Sequence, residues 1–431
     1  MKIIIIGGGP AGIESAIVGS RLSNDVTLIS DSRIGDWKST LPNLWLINVN
    51  EIREKKTFAL TSLEARKNSW RDELKHQLNQ ANVKILKGKA TFQTCSKLKV
   101  ANAEEETYIY GEKIIIANGS RPVFPRKVKA DGKRIFSYQN LSILEEIPSS
   151  IIVIGDSPIG YEMVNLFLQV GSKVKWLLPT QNQLLVDQDI TAYFMEDYKK
   201  KGVEIIRGTY VHELINNGKN VTAIRMDGES IDAEYAFITL GFCSNLDNLK
   251  IQNANLMLNE YGSIHTNEYG QTKMPHIYVV GDSKTSASAV NSMAEAYVAV
   301  LHASNHEVEA IDTKTLPLSF NENPQVSTVG NINRGDPDIT TITIPYDTRQ
   351  YRAFMTGEKE GFLKIAFNKD KEIVGGTCIG SQAKDIITLV ALMVKIKAKM
   401  SQVSTFFGSH PTATELPFIL FRDSLLTIRP Q

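Results

Sequence analysis

Two glycine-bearing turns carry the residue pattern best suited to holding a phosphorylated ligand. The first reads Gly7-Gly-Gly-Pro-Ala-Gly12-Ile-Glu14 and the second Gly155-Asp-Ser-Pro-Ile-Gly160-Tyr-Glu162. Each follows an all-aliphatic run, residues 3–6 or 151–154, and opens a segment compatible with a helix. At such a turn the first glycine permits the tight bend, and the second lets backbone N–H groups approach a pyrophosphate with no Cβ in the way. The third lets helix and strand pack closely. Gly7, Gly9 and Gly12 fill these places, and the helix opened by Pro10 and Ala11 adds oriented donors and partial positive charge. In the second turn Gly155 and Gly160 are kept but the middle glycine is Ser157, whose side chain is expected to crowd an approaching pyrophosphate.

Sulfur and metal chemistry find less support. Cys95, Cys243 and Cys378 are widely separated and make neither a disulfide framework nor a Cys-x-x-Cys motif. Their sparseness fits a reducing cytoplasm. His76, His212, His265, His276, His302 and His306 show no ligand spacing, so no metal site is expected.

The elements that must position these turns are legible around them. Second strands follow at residues 25–29 and 173–177, so each turn sits in a βαβ unit of Rossmann type. Between the units, residues 63–80 have helical spacing, and 83–86 and 97–100 read as short strands before an apolar run at 113–117. Another strand at 236–240 leads to a third glycine-bearing segment ending in Gly281-Asp282. From about Leu316 the texture changes to alternating strands, 340–344 and 362–367, followed by an apolar helix over 384–397. That change marks a separate C-terminal α+β domain.

Composition sets the frame. A chain of 431 residues, 42% hydrophobic and 22% charged, exceeds one ordinary core, and two or three domains are expected. The net charge of +1 gives no general electrostatic reason to bind nucleic acid or an anionic membrane, and small molecules are the expected partners. The run at 3–6 is too short for a signal-peptide core, and the longest apolar stretch, 386–394, contains Thr388 and runs into Lys395, Lys397 and Lys399. No membrane span is expected.

Three further segments carry a resemblance: Ile114-Ile-Ile-Ala-Asn-Gly-Ser-Arg-Pro122, Thr272-Lys-Met-Pro-His-Ile-Tyr-Val-Val-Gly-Asp282 and Asn291-Ser-Met-Ala-Glu-Ala296. With the two turns, they make the chain resemble the pyridine nucleotide-disulfide oxidoreductases, the class containing dihydrolipoamide dehydrogenase, glutathione reductase and soluble transhydrogenase. The resemblance implies an α/β fold with two Rossmann-like dinucleotide-binding domains, for FAD and NAD(P), and a C-terminal α+β dimerisation domain. It places the FAD domain at 1–147 and 242–314, the NAD(P)-like domain at 148–241 and the dimerisation domain at 315–431.

The same resemblance assigns residues. Ala117, Asn118 and Gly119 close the FAD domain, with Asn118 where Thr is usual; Gly281 and Asp282 meet the ribityl chain; Met293 and Ala294 face the flavin pyrimidine ring. The acid that would bond the adenosine ribose aligns with Ser30, and Asp31 beside it serves that role or is a turn residue. Glu162 stands near the nicotinamide or is a helix-start acid. Leu178-Pro179 supplies neither an acid for a 2′-hydroxyl nor an obvious Arg for a 2′-phosphate, so neither NADH nor NADPH is selected.

One departure dominates. The family's Gly-Gly-Thr-Cys-Leu-Asn-Val-Gly-Cys-Ile-Pro-Ser-Lys segment matches residues 33–43 here, and aligned on Pro42 the cysteine positions hold Gly35 and Thr40, with Leu44 at the downstream Lys. Thr40 also resembles the soluble transhydrogenase arrangement. Without that pair, disulfide reductase chemistry is not expected. Segments 324–330, 351–353, 360–364 and 375–380 resemble the dimerisation domain, and Gly408-Ser-His-Pro-Thr-Ala-Thr-Glu415 its His-Pro-Thr-x-x-Glu motif. By that likeness His410 of one subunit, oriented by Glu415, reaches the other subunit's site, where it protonates an acceptor or the pair braces a homodimer.

The expectation is thus a homodimeric FAD-dependent oxidoreductase, linked to NAD(P)H, that passes electrons from flavin to a small acceptor without a cysteine pair. Two alternatives stand beside it: a flavin-binding sensor with a vestigial nicotinamide site, and a soluble transhydrogenase.

Overall fold

The computed structural model describes the chain except residues 32–33, 36–39, 180–186, 209, 285–287, 334, 348–349 and 428–431. Its framework is three five-stranded sheets, two parallel and one antiparallel.

The first sheet runs in the order Ile277–Val279, Lys113–Ile116, Lys2–Ile6, Asp25–Ser30, Lys84–Lys87, all parallel. Continuous aliphatic runs suit strands covered on both faces. Ile3 and Ile5 accordingly join one core with Ile115 and Tyr278, while Ile4 and Ile6 join another with Ile114, Ile116 and Val279. Each such side chain, buried completely or nearly so, contributes about 1.5–3 kcal/mol. The strand Ile277–Val279 returns to this sheet after the second unit has intervened. Because the strands are parallel, the turns after Ile6, Ile116 and Val279 emerge on one edge, where open α/β sheets bind ligands.

The second sheet is ordered Glu204–Arg207, Lys173–Leu178, Ser150–Ile154, Tyr235–Ile238, Ile135–Phe136, again all parallel. Ile151 and Val153 face one core, Ile152 and Ile154 the other. Ile135–Phe136 precedes residue 148 and yet pairs with Tyr235–Ile238. Two antiparallel three-stranded sheets flank the parallel ones, Lys89–Phe92 with Lys97–Ala101 and Glu106–Tyr110, and Val211–Asn216 with Val221–Arg225 and Ser230–Ala233.

The C-terminal sheet is antiparallel, ordered Leu318–Phe320, Gln325–Gly330, Ile373–Gly380, Gly361–Phe367, Thr340–Pro345. One face packs Leu363 and Ile365 on the helices Ala383–Lys395 and Leu416–Thr427. Its other face joins Phe320, Val326 and Ile379 to Val164, Phe167 and Phe194 of the second unit. On the strand Gly361–Phe367, Lys364 is fully buried and forms ion pairs with Asp187 and Asp189 at 2.5 and 2.6 Å. Asp187 caps the helix Gln188–Lys200, so the pairs tie the second unit to the C-terminal domain. Among the described residues no helix is long and apolar enough to cross a membrane.

Candidate functional site

The first turn is built as its glycines require. Gly7 has φ +120°, and a Cβ on it would stand 2.1 Å from the carbonyl oxygen of Ala117. A Cβ on Gly12 would meet the carbonyl oxygen of Gly7 at 1.7 Å, so the helix Pro10–Arg21 lies directly against the strand end. Gly9, by contrast, faces open space with nothing within 4 Å. It occupies the helix N-cap with no side-chain cap bond, and Pro10 follows as the first helical residue. Amides at this helix start are thus left for a ligand, which is the geometry a pyrophosphate needs.

Two other turns converge on this one. A Cβ on Gly281 would touch the Ala11 Cβ at 3.1 Å, which places the Gly281-Asp282 turn against the first helix. The amide of Gly119 donates to the Ser283 hydroxyl at 2.8 Å, joining residues 117–119 to the same turn. The Asp282 carboxylate accepts from Ser120 at 3.1 Å and from Ser292 at 3.5 Å. Asn118 donates from its side chain to the Asn245 carbonyl at 2.6 Å, and Asn245 returns an amide bond to Gly119 at 2.9 Å. Ser288 caps the helix Ala289–Ala303, whose first turns carry Met293 and Ala294, both half-buried, and Glu295, which accepts from the Gly281 amide at 2.8 Å.

Ser30 and Asp31 divide in the structure. Ser30 is buried beneath the turn, its hydroxyl 2.7 Å from where a Gly8 Cβ would stand, whereas Asp31 is exposed at the sheet edge. Of the two, Asp31 is the carboxylate that can reach outward.

The second turn keeps the backbone but not the open helix start. Gly155 has φ +115°, with a would-be Cβ 2.3 Å from the Thr239 carbonyl, and a Cβ on Gly160 would stand 2.8 Å from the Gly155 carbonyl. The Ser157 side chain turns inward. It caps the helix Pro158–Val170 by accepting from the Gly160 amide at 3.3 Å and is hydrogen-bonded to Thr239. The obstacle to a pyrophosphate is therefore competition for a helix amide more than bulk at the approach.

Glu162 differs from a helix-start acid. It lies beyond the first turn of its helix, is buried, and accepts the Asn321 amide at 3.1 Å, with Asn165 donating beside it to Asn321 at 2.7 Å. Burial, opposed by that bond, pushes its carboxyl up to about 7.

At the positions aligned with the missing cysteines, Thr40 is the half-buried first residue of the helix Thr40–Ile47. Gly35 adopts φ +82°, with a would-be Cβ 2.8 Å from Leu74, so a cysteine there would be strained. Residues 36–39 and Arg33 lie outside the described set. The three cysteines are unbonded. Cys378 is buried in the C-terminal sheet, where burial pushes its thiol up to about 12.

In the C-terminal domain, His410 Nδ1 lies 2.9 Å from the Glu415 carboxylate, which also accepts the Thr412 amide at 3.1 Å. Tyr351 stacks on the imidazole at 5.5 Å. A carboxylate on Nδ1 fixes the ring and leaves Nε2 for proton transfer. The imidazole is exposed in the single chain, close to the exposed ring of Tyr351 and in the same domain as the exposed side chains of Phe354 and Met355. The structure thus brings together the turns at 7–12, 117–119 and 281–282, and leaves the Gly155 turn on the second sheet and the His410 pair in the C-terminal domain, off any sheet. Sequence reasoning missed Asn245, Ser283 and Glu295, which have no spacing signal because their bonds to the turns are long-range or carried by backbone atoms.

The architecture is thus two parallel, dinucleotide-type sheets joined to an antiparallel C-terminal domain. The sequence pattern described as pyridine nucleotide-disulphide oxidoreductase matches residues 1–303, and the dimerisation domain of the same description matches residues 319–417. This chain belongs to that family, whose members use FAD and NAD(P)H, and the match to the dimerisation domain supports a homodimer.

Curated relatives include a dihydrolipoyl dehydrogenase of Bacillus subtilis, 26% identical with 96% of each chain covered. A soluble pyridine nucleotide transhydrogenase of Hahella chejuensis is 25% identical, again with 96% of each covered. Among solved structures, LpdA of Mycobacterium tuberculosis superposes with a TM-score of 0.90 at 22% identity, covering 98% of this chain and 99% of that one. The HOCl-induced flavoprotein disulfide reductase RclA of Escherichia coli gives 0.86 at 21% identity, with 98% of each covered. These two likenesses show the shared fold.

Proposed function

We propose that this protein is a homodimeric FAD oxidoreductase in which the flavin, reduced by NAD(P)H, hands its electrons directly to a small acceptor, with no thiol pair in between. The observation that carries this reading is the pair of positions Gly35 and Thr40. Neither offers sulfur, Gly35 holds a backbone conformation that disfavours any side chain, and Cys378 is buried as a thiol far from thiolate behaviour.

The first site fits FAD on the cradle that Gly9 leaves open. Gly7, Gly9, Pro10, Ala11 and Gly12 would hold the pyrophosphate, Asp31 beside Ser30 the adenosine ribose, and Asp282 the ribityl chain. Ala117, Asn118, Gly119 and Gly281 close the turn, and Met293 and Ala294 line the flavin's polar edge. When bound, FAD supplies reversible electron transfer, while the protein positions it and excludes side reactions. The proposed NAD(P)H site comprises Gly155, Ser157, Gly160 and Glu162. His410, oriented by Glu415, relays a proton to the acceptor, and Thr40 flanks the flavin face that a disulfide would otherwise occupy.

A second reading has one specific observation in its favour. The inward-turned Ser157 satisfies an amide that a nicotinamide dinucleotide needs, as expected of a flavin-bearing sensor with a vestigial second site. Transhydrogenase activity, suggested by Thr40 and by the Hahella chejuensis relative, also requires strong nicotinamide binding. Anaerobic mixing of the holoprotein with NADH and NADPH decides: rapid bleaching supports the oxidoreductase, indifference to both supports the sensor, and hydride exchange between the two nicotinamides supports the transhydrogenase.

A further inference from the structure

The strand that should carry the ribose-binding acid in the second unit ends in Leu178, which is completely buried. Its neighbour in the parallel sheet is Glu204–Arg207, and the register sets Arg207 directly beside Leu178 at the same C-terminal edge. The Gly155 turn sits on this edge too, its amide bonded to the Leu177 carbonyl at 3.0 Å. Arg207 is exposed and has no hydrogen bond or ion pair among the described residues. Its charge nevertheless reaches the helix behind the turn: the Tyr161 phenol, pushed up by burial and by Asp156, is drawn back by Arg207. An uncommitted guanidinium therefore stands where the ribose end of a dinucleotide lies in this fold, and no acid at Leu178 competes for it.

We propose that Arg207 binds the 2′-phosphate of the donor, so that this protein selects NADPH over NADH. The inference rests on the NAD(P)H-linked reading given above and adds the residue that decides between the two nicotinamides. A guanidinium matches the planar, doubly accepting face of a phosphate and makes charge-assisted bonds to it. Such an anchor also offsets the amide that Ser157 takes from the pyrophosphate end, moving part of the binding energy from the turn to the ribose. In sequence the residue is hidden, because it lies on the next strand and not in the loop after Leu178.

The test uses holoprotein and two fragments without nicotinamide, 2′,5′-ADP and 5′-ADP, titrated calorimetrically into wild type, Arg207→Leu and Arg207→Lys. Wild type is expected to bind 2′,5′-ADP about tenfold or more tighter than 5′-ADP, the range of one hydrogen-bonded charge pair. Arg207→Leu abolishes the difference and Arg207→Lys keeps part of it, with unchanged melting profiles because the residue is exposed. Equal affinities in wild type, or a preference that survives in Arg207→Leu, overturn the proposal.

Flavin bleaching in the same samples separates the two readings. Selective 2′,5′-ADP binding without reduction by either nicotinamide removes the oxidoreductase reading and leaves Arg207 as a phosphate site. Equal reduction by NADH and NADPH, unaltered in Arg207→Leu, leaves the oxidoreductase and removes the selectivity.

Discussion

Gly12 faces Gly7 so closely that a Cβ on Gly12 would stand 1.7 Å from the Gly7 carbonyl oxygen, whereas three residues earlier, at the helix N-cap, the space beyond Gly9 is open. The two glycines therefore do different work. Gly12→Ala is expected to displace the first helix and give little soluble protein. Gly9→Ala is expected to fold with an unchanged melting profile and yet lose FAD affinity by about tenfold or more, since its methyl enters the ligand's approach. Flavin absorbance after dialysis checks both, and a Gly9→Ala protein that retains its full colour contradicts the placement of the pyrophosphate.

Glu162 gives a pH dependence with a definite sign. Burial raises its folded-state value to about 7 from the ordinary 4.5, so the folded protein holds this proton more tightly than the unfolded chain. That contribution is present in full below about pH 4.5 and is lost as pH rises through about 7. At higher pH the ionised carboxylate destabilises the fold by on the order of 3 kcal/mol. Glu162→Gln keeps an acceptor for the Asn321 amide and removes the ionisation. Denaturant midpoints measured from pH 5 to 8 should fall less steeply in this variant than in wild type.

Lys364 is buried between Asp187 and Asp189 at the seam of the second unit and the C-terminal domain. Removing its charge leaves Asp187 buried without its counterion, which costs about 3–5 kcal/mol. Lys364→Met should therefore lower the urea midpoint strongly, and the additional change Asp187→Asn should recover part of the loss. A single variant as stable as wild type would show that the ion pairs contribute nothing.

Under the proposed function, His410 and Glu415 serve proton transfer at the acceptor, after the flavin has been reduced. His410→Gln is expected to slow steady-state turnover by roughly 100-fold or more, the usual reach of a general acid. The rate of flavin bleaching by NAD(P)H should stay the same. Glu415→Gln should fall between the two, since it loosens the ring without removing it. Stopped-flow and steady-state rates on the same preparations separate this assignment from a purely bracing role, in which dimerisation would weaken instead.

The glycine turns and the strands that lead into them were readable because their signals are local. A strand buried on both faces announces itself by an unbroken aliphatic run, as at residues 3–6 and 151–154, and a glycine that must avoid a carbonyl is fixed in type. The small antiparallel sheets were harder: Glu106–Tyr110 is mostly exposed and carries no apolar alternation strong enough to mark it. What joins the turns was not readable at all. The bonds from Asn118 to Asn245 and from Gly119 to Ser283 cross more than a hundred residues of chain. Ser157 was legible as a departure, but the inward turn of its hydroxyl depends on Thr239, which only the folded sheet brings near. In sequence Glu162 reads equally well as a helix-start acid, because its burial against Asn321 is made only by the fold.

The central claim is that electrons leave the flavin without passing through sulfur. Anaerobic titration of the purified holoprotein with dithionite measures this directly, because flavin alone accepts one electron pair and flavin with a redox-active disulfide accepts two. Complete bleaching after a single electron pair per flavin is the predicted result. Uptake of a second pair, accompanied by the appearance of two titratable thiols, would contradict the account.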